Sequence, residues 1–248
     1  MRRVTRPALP RKAHAYLNKR RLAENPSRQL RTGDIERDWK VARQTGALQA
    51  VLRTLQQMMG RRERCMYCVD SHGSDIEHFR PKARFPGQTF RWSNMLLCCT
   101  ECGRFKGSQF PMANRRPMLI DPTAEDPWQH LDFDPDTGNL TARFDVHSND
   151  WSARGAKTVE VLRLDRREAM AAGYVGTYRR LADTIQTSLG SLADGAMNAP
   201  LLLAALREAD DHGLLPWCFN GAGQNFVPFS DLRHQYPQVW ADCVAAVQ

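Results

Sequence analysis

The 248-residue chain predicts an α+β fold: a small cysteine-stapled module embedded in a mainly helical chain, with a β-hairpin beside it. Three observations predict this. Two Cys-x-x-Cys pairs, "CMYC" at 65–68 and "CTEC" at 99–102, bracket a stretch broken by Gly and Pro. Apolar residues recur at helical spacing on both sides of that stretch. "HLDFDPDTGNLTARFD" (130–145) alternates on either side of "PDTG", a hairpin signature with a Gly-containing turn.

Residues 1–33 are punctuated by Arg and Pro, and predict an extended arm with a short helix. Over 34–59, Ile35, Trp39, Ala42, Leu48, Val51, Leu52, Leu55 and Met59 share a helical period, with Asp34 placed to cap the start. Gly46 inside this run costs about 1 kcal/mol relative to Ala, so one helix and two shorter ones are both compatible with it. Gly60 ends the run, and 61–107 carries strand and loop signals. Beyond the hairpin, helices are expected at 150–163 and at 165–188, the latter with Asp165 as cap and Gly190 past its end. A third follows Asn198, with Pro200 in its first turn. "CFNGAGQNF" predicts a loop, and Ser230 the cap of a last helical stretch broken at Pro237. Three regions result: a basic arm and helix (1–60), the cysteine module with the hairpin (61–145) and a helical region (146–248).

Hydrophobic residues at 42% and charged residues at 25% are ordinary for a globular protein, so a core forms without help from a metal. No apolar run is long enough to cross a bilayer, and the basic start "MRRVTRPALPRKAH" has no apolar stretch behind it. A cytoplasmic location is therefore expected, where seven cysteines serve as thiols or metal ligands in preference to disulfides. Net charge is +8, unevenly placed: residues 1–62 hold 16 Lys/Arg against 4 Asp/Glu, and the remainder 19 against 23. A basic N-terminal segment attracts polyanions. No GxxxxGK[ST] phosphate loop is present, so any ATP chemistry belongs to another chain.

Two CxxC pairs with thirty residues between them let Cys65, Cys68, Cys99 and Cys102 converge as four thiolates on one structural zinc. Cys98 is a fifth cysteine; Cys99 fits the paired spacing, which leaves Cys98 as a packed neighbour. Between the pairs lie "DIEHFRPK" (75–82) and "FRWSN", and "GRFKG" follows the second pair.

Cysteine pair, acid-His, Trp-x-Asn, cysteine pair and downstream Lys, in that order over about residues 62–113, resemble the HNH endonuclease family in its zinc-stapled, ββα-metal form. "RPALP", "DIEHFRPK", "RWSNMLLCC", "KG" and "LIDPTAEDP" are similar to the HNH nuclease subunit of Septu-type and retron-associated anti-phage systems. The resemblance implies a strand carrying His78, a loop carrying Asn94, and a helix opening at the second cysteine pair. It further implies DNA as substrate and an SMC/ABC-like ATPase as partner.

Within that resemblance His78 is the general base that takes a proton from water near neutral pH. Asn94 braces the loop and orients the base. Mg²⁺ or Mn²⁺ would offset charge on the scissile phosphate, with Glu77 and Asp75 as oxygen ligands. Arg80, Lys82, Arg104 and Lys106 would face phosphate oxygens, positioning the strand without reading its sequence. One position departs from the pattern: where the family carries His or Asn after the last cysteine, this chain has Gly103. Three accounts remain open. The ion is held by Glu77 with Asp75, His72 or Glu101; or it arrives weakly bound with substrate; or catalysis is lost and a DNA-binding adaptor of the ATPase remains.

Overall fold

The computed structural model describes residues 1–23, 32–146 and 148–247, and falls into two compact units. One comprises residues 3–125. The other comprises 126–248 together with Met1 and Arg2.

The first unit opens with α1 (Arg11–Ala23), α2 (Thr32–Ala42) and α3 (Gly46–Met58). The long apolar run over 34–59 thus forms two helices. Thr45 explains the break: extended there, it accepts the backbone N–H of Leu48 on Oγ1 and starts a new helix with Gly46 in its first turn. The side chain of Asp34 lies outside the described residues, and α2 already begins at Thr32. Strands β1 (Asp75–His78) and β2 (Met95–Cys98) pair antiparallel, with Asp75 opposite Cys98 and His78 opposite Met95. Helix α4 (Thr100–Lys106) follows β2 directly. A two-residue pair, β3 (Met112–Ala113) with β4 (Arg116–Pro117), closes the unit.

All four residues of β2 are buried, which is why "MLLC" reads as a continuous apolar run and not as an alternation. The core collects Leu9, Ala13 and Leu17 from the arm and α1, Leu48, Val51 and Leu55 from α3, and Met95, Leu96 and Leu97 from β2. A lone two-stranded hairpin is marginal in water. Here the helices bury it, and the cysteine pairs tie down one end.

In the second unit β5 (Leu131–Phe133) pairs with β6 (Leu140–Ala142) as the hairpin expected around "PDTG". Asp134 accepts backbone N–H groups from Asp136 and Thr137, and Gly138 takes the left-handed conformation (φ +79°) the turn needs. A short pair follows, β7 (Phe144–Asp145) with β8 (Asp150–Trp151). Then come α5 (Ala153–Leu162), α6 (Glu168–Ala193), α7 (Ala199–Ala209), α8 (Leu215–Asn220), α9 (Phe229–Gln235) and α10 (Pro237–Val247). Asn198 caps α7 by accepting from Leu201 N, with Pro200 in the first turn, as the sequence suggests.

Other boundaries differ. Arg167 occupies the position before α6, while Asp165 is held by Arg166. Gly190 lies inside that helix, which stops only where Gly195 turns left-handed (φ +70°). "CFN" is helical because the core takes its apolar side chains: Trp217, Cys218 and Phe219 are all buried. Ser230 sits within the first turn of α9 and does not cap it. Phe133 meets Trp217 edge-on at 5.1 Å, and Trp217 donates its indole N–H to Asp132 (2.5 Å), so the hairpin is a wall of the helical core.

Gly155, in the first turn of α5, has no room for a side chain: a Cβ there would lie 2.0 Å from the His130 carbonyl oxygen and 3.2 Å from Ala142 Cα. Both are backbone atoms that cannot swing away. Gly155→Ala is expected to cost about 2 kcal/mol or more, read as a lowered denaturation midpoint with an unchanged m-value.

Candidate metal centre and active site

Cys65 and Cys68 lie in a knuckle after α3. Cys65 N–H donates to Ser71 O (2.8 Å), Met66 N–H to Leu97 O (2.9 Å), and Val69 N–H back to Cys65 O (2.9 Å). The knuckle is therefore hydrogen-bonded to β2. Cys99 directly follows that strand and caps α4, its Sγ accepting from Cys102 N. One knuckle and one strand-to-helix turn thus bring four sulfurs into a cluster in which all ligand atoms lie within 4.8 Å of one another. All four cysteines are buried. Burial pushes the Cys65 thiol well up, whereas hydrogen bonds from Cys102, then Cys65, pull Cys68 well down. Packed sulfurs of this kind cannot all ionise without a cation, and a tetrahedral site of four thiolates is what zinc takes. The residues fit a structural zinc. Cys98 stays outside the cluster, donating its thiol to Cys99 O (3.2 Å).

The hairpin carries the other candidates. His78 is 3% exposed. Its Nε2 lies 2.9 Å from the Thr89 carbonyl oxygen. A carbonyl only accepts, so Nε2 bears the hydrogen and Nδ1 bears the lone pair. Nδ1 makes no hydrogen bond within the described residues. Trp39 of α2 meets the ring edge-on at 4.4 Å. Burial, with Lys82 adding repulsion, pushes the pKa of His78 down to about 3 and keeps the ring neutral at physiological pH.

Asn94 is buried at the end of the 79–94 loop. Its Oδ1 accepts from Arg80 N (2.7 Å), and its Nδ2 donates to Arg80 O and Gln88 O (both 3.1 Å). Phe79 N–H donates to Asn94 O (2.9 Å) as well. The side chain staples both ends of the loop that presents Thr89 O to the imidazole.

Neighbouring residues of a strand face opposite sides, so Glu77 points away from the side of His78. It meets Lys106, which is wholly buried and donates to Glu77 Oε1 (2.6 Å) and to His78 O (2.8 Å). Burial raises the pKa of Glu77, and Lys106 opposes the rise. Lys106 therefore has no face toward a phosphate here. Asp75 is exposed and paired with Arg43 (3.2 Å). His72 and Glu101 are exposed as well. Arg80 lies over Phe85 (5.5 Å) and Phe110 (5.4 Å). Lys82 lies between Glu36 (3.6 Å) and the Trp39 ring (5.8 Å). Arg104 is exposed on α4.

Among the described residues the four cysteines are the sole cluster of three or more His, Cys, Asp or Glu with converging ligand atoms. Glu77 has one oxygen taken by an ammonium, Asp75 is turned to Arg43, and position 103 has no side chain. These donors do not fit a preformed divalent centre.

Three features carry no sequence signal of their own: the Thr89 carbonyl, the Trp39 contact and the inward turn of Lys106. Lysines are rarely fully buried, so the side chain reads as a surface cation until its partner is known.

Geometry and chemistry together define an α+β protein with a zinc-capable tetrathiolate that staples a hairpin bearing a buried, oriented imidazole. No family model matches the chain. It is similar to the Septu protein PtuB of Bacillus thuringiensis, 27% identical over 108 residues, 42% of this chain. The match spans 37% of that protein, little over a third of its length. Among the described residues no helix is long and apolar enough to cross a membrane.

Two measurements check the site. Metal analysis of the purified chain is expected to give about one zinc, and Cys68→Ser to lose it together with the cooperative unfolding of residues 3–125. Asn94→Ala is expected to cost on the order of 2–4 kcal/mol, since it leaves buried backbone groups unpaired. Asn94→Asp should cost no less, because a carboxylate cannot donate to Arg80 O and Gln88 O; chemical denaturation reads both.

Proposed function

We propose that the chain is an HNH-type endonuclease that hydrolyses DNA phosphodiester bonds, acting as a nuclease component of an anti-phage defence complex with an SMC/ABC-like ATPase. One observation carries the chemistry: Thr89 O fixes the His78 tautomer, and this leaves the lone pair on Nδ1 with no hydrogen bond among the described residues. A water gives its proton to Nδ1 while its oxygen bonds to phosphorus. The P–O ester bond breaks, and the leaving oxygen takes up a proton. Thr89 and Asn94 act as positioning groups. Arg80, Lys82 and Arg104 supply positive charge for phosphate oxygens, and the basic arm extends that surface. The likeness to a Septu protein supports the defence setting and, by the resemblance of the motifs, the ATPase partner.

Gly103 and the near-complete burial of His78 favour a second reading, a zinc module that binds DNA or the ATPase without cutting. A plasmid assay separates the two. The nuclease reading expects cleavage by the wild type and a loss of at least a hundredfold in His78→Ala, with DNA retention in a mobility-shift assay unchanged. Cleavage that survives in His78→Ala removes the imidazole from the mechanism. Retention without cleavage, with or without the ATPase, supports the adaptor.

A further inference from the structure

The resemblance calls for a divalent ion at Glu77, and the structure puts something else there. Lys106 brings a full positive charge to Glu77 Oε1 at 2.6 Å and spends a second N–H on the carbonyl of His78 at 2.8 Å. The ammonium is wholly buried, so these contacts hold it in place of water. Gly103 lies one turn earlier on α4, and residues three apart share a helix face. A Cβ at 103 would touch only Cys98 Sγ, at 3.8 Å. The face that in the family offers a ligand thus offers a bare backbone at 103 and a cation at 106. A doubly charged ion on the same carboxylate oxygen would lie a few ångströms from the ammonium. In a weakly polarisable interior that repulsion is large.

We propose that the Lys106 ammonium is the resident cation of this centre, standing where a carboxylate-bound divalent ion is expected, and that it is a positioning residue for the His78 imidazole. The proposal rests on the hydrolytic reading of His78. The histidine is held at two points, its ring by Thr89 O and its backbone carbonyl by Lys106. Glu77 neutralises and aims the lysine. Any divalent ion used in the reaction then arrives on the phosphate oxygens of the substrate, with no ligand from Glu77.

The test uses the full, zinc-loaded chain. Mn²⁺ is titrated in the absence of nucleic acid, with free Mn²⁺ followed by electron paramagnetic resonance. Wild type and Glu77→Gln are expected to give the same curve. One Mn²⁺ bound by wild type and lost in Glu77→Gln overturns the proposal. The positioning role is read from the ring itself. Glu77→Gln combined with Lys106→Met removes both charges and orphans neither. With zinc content and circular dichroism unchanged, the His78 Cε1–H resonance is expected to shift and broaden; an unmoved resonance overturns the role. Should that variant lose zinc, Lys106→Arg is read in the same way, since it keeps the charge but not the geometry at the carbonyl. Neither readout needs cleavage, so a chain that never cuts DNA sinks the nuclease reading alone.

Discussion

Four sulfurs within 4.8 Å of one another tie the knuckle, β2 and α4 of the 3–125 unit together. Cys99 directly follows β2 and caps α4, so the cluster sits at the turn where the helix leaves the strand. The knuckle carrying Cys65 and Cys68 is bonded to β2 through Met66 and Leu97, at the same end of the hairpin. Anchored at that end, a two-stranded ribbon too small to be stable alone becomes a shelf. His78 lies at the open end of that shelf, opposite Met95. The metal-capable site and the imidazole lie at opposite ends of the two strands, yet the first decides where the second can be.

Much of this was legible in the cysteine spacing. Two CxxC motifs at this separation name their own ligands, and the choice of Cys99 over Cys98 followed from spacing alone. The hairpin and the Asn198 cap were legible because their signals are local: a Gly-containing turn between alternating runs, and a short polar side chain before Pro. Legibility fails where tertiary structure decides. Lys106 has no sequence mark that separates an inward from an outward lysine. Thr89 acts through a backbone carbonyl, which any residue possesses. Gly190 reads as a terminator, but the packing of α6 carries the helix across it, and Asp165 reads as a cap until Arg166 takes its carboxylate.

Charge follows the division into units. Residues 3–125 carry 24 Lys/Arg and 11 Asp/Glu, whereas 126–248 carry 10 and 16. The polyanion-attracting part of the chain is therefore the part that holds the thiolates and the imidazole, and α1 alone contributes Arg11, Lys12, Lys19, Arg20 and Arg21 without one acid. The acidic unit repels a nucleic acid backbone at long range. Its aromatic core and exposed Phe144, Val146 and Trp151 belong to a different kind of surface.

Several cations of this unit lie against aromatic rings. Arg80 lies over two phenyl rings, Lys82 over Trp39, and Arg20 over Phe90 at 5.5 Å. In each case it is the charged group itself that lies over the aromatic face, so the side chain has less rotamer freedom than a free surface cation. Phe90 and Trp39 are 5.9 Å apart, and Trp39 also covers the imidazole. One aromatic layer therefore does two things at once. It helps bury the histidine, which keeps the ring neutral, and it holds the Lys82 charge close by. Burial is the main reason the imidazole cannot carry its own charge easily, and Lys82 adds repulsion to it.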